Sequence, residues 1–406
     1  MTARVPHPIE GPLFAFAGGG TGGHLYPAIA VAEALRRRRS DARFVFFGTR
    51  RRIDRQILDQ VECDFVEQDL PPLSLVPWRA LSALVGFRRA CRACRERFAV
   101  ARPAAVIGTG GLASVPPVRE AARAGIPTAL FNPDAIPGKA NRHLASLADC
   151  VFVQFEESAA HFPRGTNVVV SGCPVRPEFY SATREAGIKR FGLDPRRKTL
   201  LITGASQGAR TVNQAVVANA DFLAAHTGWQ TLHLTGDADY ELVADAYRGH
   251  DCAVQVVAYT HHMAEAMAAA DLIVSRAGAS TLAEIIAVGR ASVLMPYPFH
   301  RDQHQSANAG CLARVGGAQV VTDAIDAAVN APVLRAVLDE LMRSGDACGI
   351  MADAVRAVGG GVAGAGRGRW GNPAELIADH LLEMSGAVDL PVGGGCSPWC
   401  ETVKAL

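Results

Sequence analysis

The sequence predicts an α/β protein made of two parallel-sheet domains, and three observations lead to this prediction. An apolar segment, Leu13–Ala17, runs directly into the glycine-rich turn 18–23 and then into a helical pattern. The same order of apolar strand, glycine turn and helix restarts near mid-chain, at residues 199–211. Between these points apolar strands alternate with amphipathic helices, which is typical of parallel sheets covered by helices on both faces.

The composition is that of a folded protein with room for two cores. The chain has 406 residues, of which 49% are apolar and 20% are charged. The formal net charge of +2 is too small to make nucleic acid an expected partner. The chain shows neither an apolar run of about 18 residues nor a signal-like N-terminus, so we expect a cytosolic protein that rests at most on a membrane surface. Its ten scattered cysteines are expected to be reduced and mostly buried.

Each predicted strand is a short apolar run bounded by turn residues. In the first half these runs are residues 13–17, 44–47, 105–107, 128–131, 150–153 and 168–170. In the second half they are residues 199–203, 231–234, 253–257, 272–274 and 291–295. The rigid segment 171–177 separates the halves and predicts domains at residues 1–172 and 173–384. Residues 385–406 follow a predicted helix at 374–384 and are expected to form a flexible tail.

The first glycine turn predicts a site for a phosphate. Glycines occupy five of the six positions from 18 to 23, where backbone N–H groups converge with the positive end of the following helix. Thr21 adds a hydroxyl donor. The glycine spacing also fits the dinucleotide-binding pattern, but the next strand, 44–47, lacks the terminal acid that would hold ribose hydroxyls.

His24 follows that turn and is the candidate general base. Histidine ordinarily titrates near neutral pH, and beside a phosphate it could take a proton from an attacking hydroxyl, contributing about 10²–10⁴ in rate. The alternative is a histidine at a helix start that only donates a hydrogen bond. A second glycine turn, Thr109-Gly110-Gly111, predicts a second phosphate group in the same crevice or, equally, a tight turn without a ligand.

Two segments of the second half are rich in side chains that bind ligands. The turn 275–284 opens a helix, and Thr281-x-x-Glu284 fits either a capping box or a carboxylate that accepts both hydroxyls of a ribose. The segment 297–309 concentrates hydrogen-bonding side chains suited to a sugar with an acetamido group. His300 and His304 have no third ligand at metal-site spacing, so a metal site is disfavoured.

The segment 78–102 predicts a helix with a core face and a membrane face. One stripe is apolar and favours core packing over a redox or metal role for its Cys-x-x-Cys pair. That stripe consists of Phe87, Cys91, Cys94 and Phe98. A second set predicts docking on an anionic membrane surface, against the alternative of a solvated helix face. That set consists of Trp78, Leu81, Val85, Arg88, Arg89 and Arg92.

Four motifs stand at compatible distances along the chain. They are Gly19-Gly20-Thr21-Gly22-Gly23-His24-x-x-Pro27-Ala28, Gly204-x-Ser206-Gln207-Gly208-Ala209-Arg210-x-x-Asn213, Gly278-Ala279-Ser280-Thr281-x-x-Glu284 and Asp302-x-His304-Gln305-x-x-Asn308-Ala309. Together they resemble the MurG family, the N-acetylglucosaminyltransferases of peptidoglycan synthesis, over residues 13–384. The resemblance implies a GT-B fold, in which two Rossmann-like domains face a cleft.

The resemblance also implies a reaction and two substrates. UDP-GlcNAc would bind mostly to the second domain, and the lipid-linked acceptor, lipid I (undecaprenyl-pyrophosphoryl-MurNAc-peptide), would bind to the first. GlcNAc would move to the 4-hydroxyl of the MurNAc unit with inversion at the anomeric carbon, giving lipid II without a metal or redox cofactor. The protein would then act as a peripheral protein on the cytoplasmic face of the bacterial plasma membrane.

Residue by residue, the resemblance makes His24 the catalytic base. The acceptor diphosphate is expected at the two glycine turns, on Gly19, Gly20, Thr109, Gly110 and Gly111. A larger set is expected to bind UDP-GlcNAc: Thr21, Gly22, Gly23, Asp134, Arg176, Ser206, Gln207, Thr260, Ala279, Ser280, Thr281, Leu282, Ala283, Glu284, His304 and Gln305.

Three positions depart from the family pattern and concern the acceptor more than the donor. Asp134 stands where a carboxamide is usual, Cys173 replaces an asparagine, and Thr260 replaces an apolar residue near the uracil. The alternatives are a glycolipid glycosyltransferase or UDP-GlcNAc 2-epimerase of the same fold, an NAD(P) oxidoreductase, and a catalytically silent UDP-sugar-binding protein. The missing strand-end acid disfavours the oxidoreductase, and the presence of both His24 and Glu284 disfavours the silent protein.

Overall fold

A computed structural model describes residues 11–71, 77–204, 208–299, 303–359 and 372–387, with the backbone alone for residues 77–80. Within these residues two sheets are present. The first contains β1 (Leu13–Ala17), β2 (Arg43–Thr49), β3 (Asp64–Gln68), β4 (Ala105–Gly108), β5 (Thr128–Asn132), β6 (Cys150–Val153) and β7 (Val168–Val170). The second contains β8 (Lys198–Thr203), β9 (Trp229–Leu234), β10 (Val254–Val257), β11 (Leu272–Ser275), β12 (Ala291–Leu294) and β13 (Ala318–Val320).

Helices connect the strands in both halves. Those of the first half are α1 (Gly22–Arg38), α2 (Arg52–Leu58), α3 (Pro77–Val100), α4 (Val115–Arg123) and α5 (Lys139–Leu144). They are followed by α6 (Glu178–Ser181), α7 (Arg184–Phe191), α8 (Arg210–Val217), α9 (Ala220–Ala225), α10 (Tyr240–Tyr247) and α11 (Met263–Ala269). The chain continues with α12 (Ala279–Val288), α13 (His304–Arg314), α14 (Ala327–Arg343), α15 (Ala347–Gly359) and α16 (Pro373–Ser385).

All strand pairings are parallel, and the strand order reverses once in each sheet. The first sheet has the order β3-β2-β1-β4-β5-β6-β7 and the second has β10-β9-β8-β11-β12-β13. The order reverses between β1 and β4 and between β8 and β11. In open parallel sheets ligands bind outside the carboxyl ends of the strands at such points.

The predicted class, two Rossmann-like parallel-sheet domains, is confirmed, and two strands were not predicted. β3 and β13 each pair on one side only, as edge strands of their sheets. β7 and β10 are edge strands as well and were predicted, so the edge position alone does not explain the difference. β3 has three polar residues in five, and β13 has only three residues, one of them Gln319. Neither therefore shows the continuous apolar run by which a parallel strand is recognised.

The last described helix, α16, packs against the first domain although it follows the second in sequence. Ile377 and Leu381 on α16 are buried in the same apolar cluster as Leu35 on α1. Arg37 forms an ion pair with Glu375 at 2.6 Å. The predicted helix 374–384 is therefore present, and the chain passes from one domain to the other both before α6 and before α16.

Helix α3 has the predicted core stripe, with one exception. Cys91, Cys94 and Phe98 are buried, whereas Phe87 is only half-buried. The prediction of a core role for Phe87 is therefore wrong. The reason is that Phe87 lines an open cavity beside α3 instead of the core.

The membrane predictions fall on an exposed part of α3. Leu81 is 63% exposed and Val85 is 38% exposed. The three predicted arginines are exposed as well, and Arg92 forms an ion pair with Glu96 at 2.7 Å. The side chain of Trp78 lies outside the described part of the structure. No helix among the described residues is long and apolar enough to span a membrane.

Candidate active site

The two glycine turns of the first domain lie side by side because they follow neighbouring strands. Ala17 at the end of β1 pairs with Gly108 at the end of β4. The N–H of Thr109 donates to the carbonyl oxygen of Ala17 at 2.7 Å, and the Thr109 hydroxyl lies 3.4 Å from the same oxygen. A Cβ on Gly18 would lie 2.1 Å from that hydroxyl, so only glycine fits there. The buried Thr109 thus joins the two turns.

A buried carboxylate that the sequence analysis did not identify holds the first turn. Asp54, on α2, accepts from the N–H of Gly20 at 2.8 and 3.0 Å through its two oxygens. It also accepts from the N–H and the hydroxyl of Thr49, at 2.8 and 2.7 Å. Arg51 donates to the carbonyl oxygen of Gly20 at 3.0 Å. The available sequence signal was a single acid within the basic run 50–55.

The backbone orients the ring of His24 in the first turn of α1. Its Nδ1 lies 3.1 Å from the carbonyl oxygen of Gly19 and 3.5 Å from the hydroxyl of Thr21. A carbonyl only accepts, so Nδ1 carries the hydrogen and Nε2 keeps a lone pair. A Cβ on Gly110, whose φ is +109°, would lie 3.2 Å from Nε2. Nδ1 therefore makes the hydrogen bond expected of a histidine at a helix start, and Nε2, the candidate base, faces the second glycine turn.

His24 lines a cavity of ≈ 850 Å³ in the first domain. Five predicted site residues contribute to its wall: His24, Thr109, Gly110, Gly111 and Asp134. An apolar part of the wall comes from α3, the loop before it and the start of α4, with Leu70, Leu84, Phe87, Leu112 and Val115. Lys139 and His143 add two basic side chains from α5. The cavity therefore combines a hydrogen-bonding end with an apolar wall.

The second domain meets the first beside this cavity. A Cβ on Gly23 would lie 3.3 Å from Oγ of Ser280, so the starts of α1 and α12 face each other. The buried side chain of Gln154, after β6, donates from Nε2 to the carbonyl oxygen of Ala279 at 3.3 Å. Two helix N-termini, one from each domain, thus converge on one crevice, and such ends favour bound anions.

Asp134, which departs from the family pattern, contacts the second domain through Asn308. The buried amide of Asn308 donates from Nδ2 to Oδ1 of Asp134 at 2.9 Å. Its Oδ1 accepts from the N–H of Ala135 at 2.8 Å. The carboxylate is therefore compatible with this fold because an amide donor of α13 faces it. Neither Asn308 nor Gln154 was assigned a role from sequence, since each acts across the domain interface.

Glu284 lies in the middle of α12 rather than at its start. The helix begins at Ala279 with Gly278 as its N-cap, so Thr281 is already inside the helix. The capping-box alternative for Glu284 is therefore wrong. Burial raises the pKa of Glu284 to about 7, although the positive charge of Arg176 acts in the opposite direction. Such a carboxyl changes charge near neutral pH, as ligand-binding groups often do.

A network around Asn213 braces the glycine turn of the second domain. The buried Asn213, on α8, donates from Nδ2 to the carbonyl oxygen of Thr235 at 2.9 Å and to Oδ2 of the buried Asp239 at 3.0 Å. Its Oδ1 lies 3.1 Å from Nε2 of His233. Burial lowers the pKa of His233 to about 3, so its ring is neutral at physiological pH. A Cβ on Gly208 would lie 2.5 Å from the same Thr235 oxygen, and its φ is +72°.

A buried ion pair supports the turn between β11 and α12. Nη1 of Arg276 lies 2.7 Å from Oδ2 of Asp323, and its Nη2 donates to the hydroxyl of Thr211 at 2.7 Å. Burial alone would raise the pKa of Asp323, but the hydrogen bonds from Thr211 and Arg276 hold it below its ordinary value. This pair connects α8 to the start of α12 and was not predicted.

The other predicted donor residues have varied surroundings. Leu282 is fully buried in the core. Oε1 of Gln305 accepts from the N–H of Tyr297 at 2.9 Å, and the hydroxyl of Thr260 accepts from the N–H of His262 at 3.0 Å. Three residues lie outside the described part of the chain: Ser206, Gln207 and His300. In the described part, no group of three His, Cys, Asp or Glu side chains is placed to hold a metal ion.

Comparison with known families first defines the class. Residues 14–153 match the glycosyltransferase family 28 N-terminal domain, and residues 199–354 match the glycosyltransferase family 28 C-terminal domain. The chain is thus a glycosyltransferase with both domains of that family. A crystal structure of Acinetobacter baumannii MurG is similar with a TM-score of 0.72 and 23% identity, covering 92% of this chain and 99% of that one.

Curated relatives then identify the particular family. A protein of Moorella thermoacetica is 38% identical over 84% of this chain and 93% of its own length. One of Bacillus subtilis is 35% identical over 76% of this chain and 85% of its own length. Both are named UDP-N-acetylglucosamine--N-acetylmuramyl-(pentapeptide) pyrophosphoryl-undecaprenol N-acetylglucosamine transferase. This chain belongs to that family, the MurG family, as its motifs predicted. The names support N-acetylglucosaminyl transfer and not the glycolipid transferase or 2-epimerase alternatives.

Proposed function

We propose that this protein transfers GlcNAc from UDP-GlcNAc to the 4-hydroxyl of the MurNAc unit of lipid I, forming lipid II for peptidoglycan synthesis. One observation carries the proposal: Nε2 of His24 faces a cavity at the point where two glycine turns and the second domain meet. A hydroxyl of the acceptor needs a base at such a point, and the donor needs an anion site beside it.

In the proposed reaction the 4-hydroxyl oxygen attacks C1 of GlcNAc from the side opposite UDP. The bond between C1 and the phosphate oxygen breaks, UDP leaves with the electron pair, and the hydroxyl proton passes to Nε2 of His24. Attack from the opposite side inverts the anomeric carbon. The start of α12 and the guanidinium of Arg176 are suited to the charge that develops on UDP.

The two substrates divide between the domains. The diphosphate of UDP-GlcNAc lies at the start of α12 in this proposal, with its ribose on Glu284. The diphosphate of lipid I lies on the two glycine turns of the first domain, at Gly20 and Gly110. The apolar wall of the cavity, with Leu84 and Phe87, then receives the beginning of the polyprenyl chain, because apolar side chains bury hydrocarbon favourably.

A lipid-linked acceptor requires the protein to reach a bilayer. Helix α3 carries the exposed side chains of Leu81, Leu84 and Val85, and the exposed arginines 88 and 89 follow them. Exposed apolar residues next to cations are suited to an anionic leaflet. We therefore include peripheral attachment to the cytoplasmic face of the bacterial plasma membrane in the proposal, through α3.

The test is a transfer assay with purified protein, radiolabelled UDP-GlcNAc and a short-chain lipid I analogue. Incorporation of label into the lipid fraction that depends on His24 is the expected result. Label transferred only to diacylglycerol or ceramide, or conversion of UDP-GlcNAc to its 2-epimer without an acceptor, would contradict the proposal. UDP-glucose in place of UDP-GlcNAc is the control for recognition of the acetamido group.

A further inference from the structure

The peptide group between Gly19 and Gly20 is hydrogen-bonded at both ends. Its N–H, which belongs to Gly20, donates to the carboxylate of Asp54 at 2.8 and 3.0 Å. Its carbonyl oxygen, which belongs to Gly19, lies 3.1 Å from Nδ1 of His24. One planar amide therefore links a buried carboxylate on α2 to the ring of His24 on α1.

The surroundings of Asp54 fix its carboxylate toward this peptide. Asp54 is fully buried, and its other contacts are the N–H and the hydroxyl of Thr49. Every one of these partners donates, which is the arrangement that an ionised carboxylate requires. The guanidinium of Arg51 donates to the carbonyl oxygen of Gly20, which belongs to the next peptide. The charge of Asp54 thus acts on the Gly19–Gly20 amide.

Hydrogen bonds in a chain polarise one another, so a carboxylate on the N–H makes the carbonyl at the other end a better acceptor. A stronger acceptor holds the hydrogen on Nδ1 and leaves the lone pair on Nε2. It also stabilises the positive charge that the imidazole gains when it takes a proton. A carboxylate bonded directly to histidine has the same two effects in a catalytic triad.

We propose that Asp54 is a positioning residue for this reaction, and that it acts on His24 through the Gly19–Gly20 peptide. The proposal rests on the proposed function in one respect, namely that His24 is the base. Asp54 touches neither substrate in this proposal. It selects the ring tautomer and stabilises the imidazolium, so its loss lowers turnover and leaves donor binding intact.

Other acidic and basic side chains lie near His24, and the test has to separate them from Asp54. Arg51 donates to the carbonyl oxygen of Gly20, in the same glycine turn. Asp134, Lys139 and His143 line the same cavity as His24. A single pH profile would report all of these groups together. A double-mutant cycle isolates the coupling between two chosen residues, because the contributions of the others cancel.

The experiment measures kcat and KM for UDP-GlcNAc in four proteins: wild type, Asp54→Asn, His24→Ala and the double variant. Asp54→Asn is expected to lower kcat about 10–100-fold, as losses of residues that orient a functional histidine do. KM for UDP-GlcNAc is expected to change less than about twofold. In the His24→Ala background, Asp54→Asn is expected to cause no further loss, because its effect passes through the ring that is missing.

Thr49→Val is the matched control. It removes another hydrogen bond to the same Asp54 oxygen but leaves the Gly19–Gly20 peptide untouched, so kcat is expected to stay within about threefold of wild type. If Asp54→Asn lowers kcat as much in the His24→Ala background as in wild type, Asp54 is only a structural support, and the proposal is overturned. If His24→Ala retains full turnover, His24 is not the base. This single variant therefore distinguishes a failure of the base assignment from a failure of the Asp54 proposal.

The wild-type protein offers a second measurement that does not depend on the folding of Asp54→Asn. Nitrogen-15 resonances of the His24 ring distinguish the two neutral tautomers. The expected spectrum at alkaline pH shows hydrogen on Nδ1 and an unprotonated Nε2, and a ring with hydrogen on Nε2 would overturn the proposal. Where the variant folds, its melting temperature and UDP affinity show that the second domain is intact.

Discussion

The glycine turns that follow β1 and β8 occupy equivalent places in the two domains but are held differently. In the first domain a charged side chain, Asp54, binds the turn from an element 34 residues away. In the second domain the amide of Asn213 binds the end of the adjacent strand, at Thr235, and connects it to the buried carboxylate of Asp239. Both turns follow a central strand at the point where the order of the sheet reverses.

The difference teaches that one local motif serves two purposes, which depend on what supports it. In the first domain the carboxylate of Asp54 bonds the backbone beside His24 directly, where a positive charge forms and disappears during the proposed reaction. In the second domain the amide of Asn213 stands between the carboxylate of Asp239 and the strand end, so this carboxylate acts on a side chain rather than on the backbone beside a reacting group. Changes in the first turn should therefore alter turnover, and changes in the second should alter binding or stability.

The largest expected effect tests the first glycine turn, beside which the reaction is proposed to occur. His24→Ala is expected to lower kcat about 10²–10⁴-fold, because it removes the base. The affinity for UDP-GlcNAc, measured by titration calorimetry, is expected to change little, because a base acts on the transition state. His143→Ala is the matched control, since it removes another histidine of the same cavity. Turnover equal to that of wild type in His24→Ala would remove the functional distinction between the turns.

The next largest effect tests whether the first domain, and not the second, attaches the protein to the membrane. Charge reversal of Arg88, Arg89 and Arg92 to Glu should weaken sedimentation with anionic vesicles by about 100-fold or more, at about 1 kcal/mol for each charge. Activity on a detergent-soluble acceptor should be kept. A control variant reverses three exposed arginines of the second domain: Arg196, Arg248 and Arg343. Equal sedimentation of both variants and wild type at about 0.1 M salt would rule out the patch on α3.

A smaller effect concerns a charge in the second domain that titrates near neutral pH. With the pKa of Glu284 at about 7, its ionised fraction falls about tenfold between pH 8 and pH 6. The UDP affinity of wild type should fall in that direction more steeply than that of Glu284→Gln, which should bind UDP about 1–3 kcal/mol more weakly at pH 8. Parallel pH profiles of wild type and variant would show that Glu284 does not bind the ribose.

The same pKa also predicts how the stability of the protein without ligand depends on pH, and the direction is opposite to that for UDP affinity. The folded-state pKa of Glu284 lies above the ordinary value of 4.5, so the folded state binds more protons than the unfolded state between pH 4.5 and about 7. The free energy of unfolding therefore falls as pH rises through this window. Glu284→Gln should reduce that fall in urea titrations, and an unchanged pH dependence would contradict the burial of this carboxyl.

The smallest effect on turnover is expected from Asn213. Asn213→Ala leaves the carbonyl of Thr235, Oδ2 of Asp239 and Nε2 of His233 without the amide, at a cost of about 1–3 kcal/mol in the free energy of unfolding. Thermal melting measures this loss. The kcat at saturating UDP-GlcNAc should stay within about twofold of wild type, in contrast to Asp54→Asn. A fall in kcat as large as that of the Asp54 variant would break the comparison between the turns.

The central strands could be predicted from sequence because their apolar runs reflect burial on both faces. Leu13–Ala17 and Cys150–Val153 begin and end where predicted. The edge strands β3 and β13 could not, since their sequences are mixed. The core assignment of Phe87 failed because helical periodicity does not show that the side of α3 at Phe87 borders a cavity.

At the candidate site, local motifs predicted roles for His24 and Glu284 but not for the residues that hold the surrounding turns and loops. Asp54 binds a turn 34 positions earlier in the chain, and Asn308 binds Asp134 across 174 positions. Such contacts depend on how strands and domains are arranged, which the spacing of residues does not encode. Motifs shared by a family therefore supplied the candidate binding and reacting residues, whereas the tertiary structure was needed to see which side chains contact them.

The return of α16 to the first domain has a consequence for how that domain is completed. Ile377 and Leu381 of α16 are buried in the same apolar cluster as Leu35 of α1, so residues near both ends of the described chain share one core. During synthesis the side chains of α16 become available only after the second domain has been made. The first domain therefore keeps part of its apolar surface uncovered until the last described helix is in place.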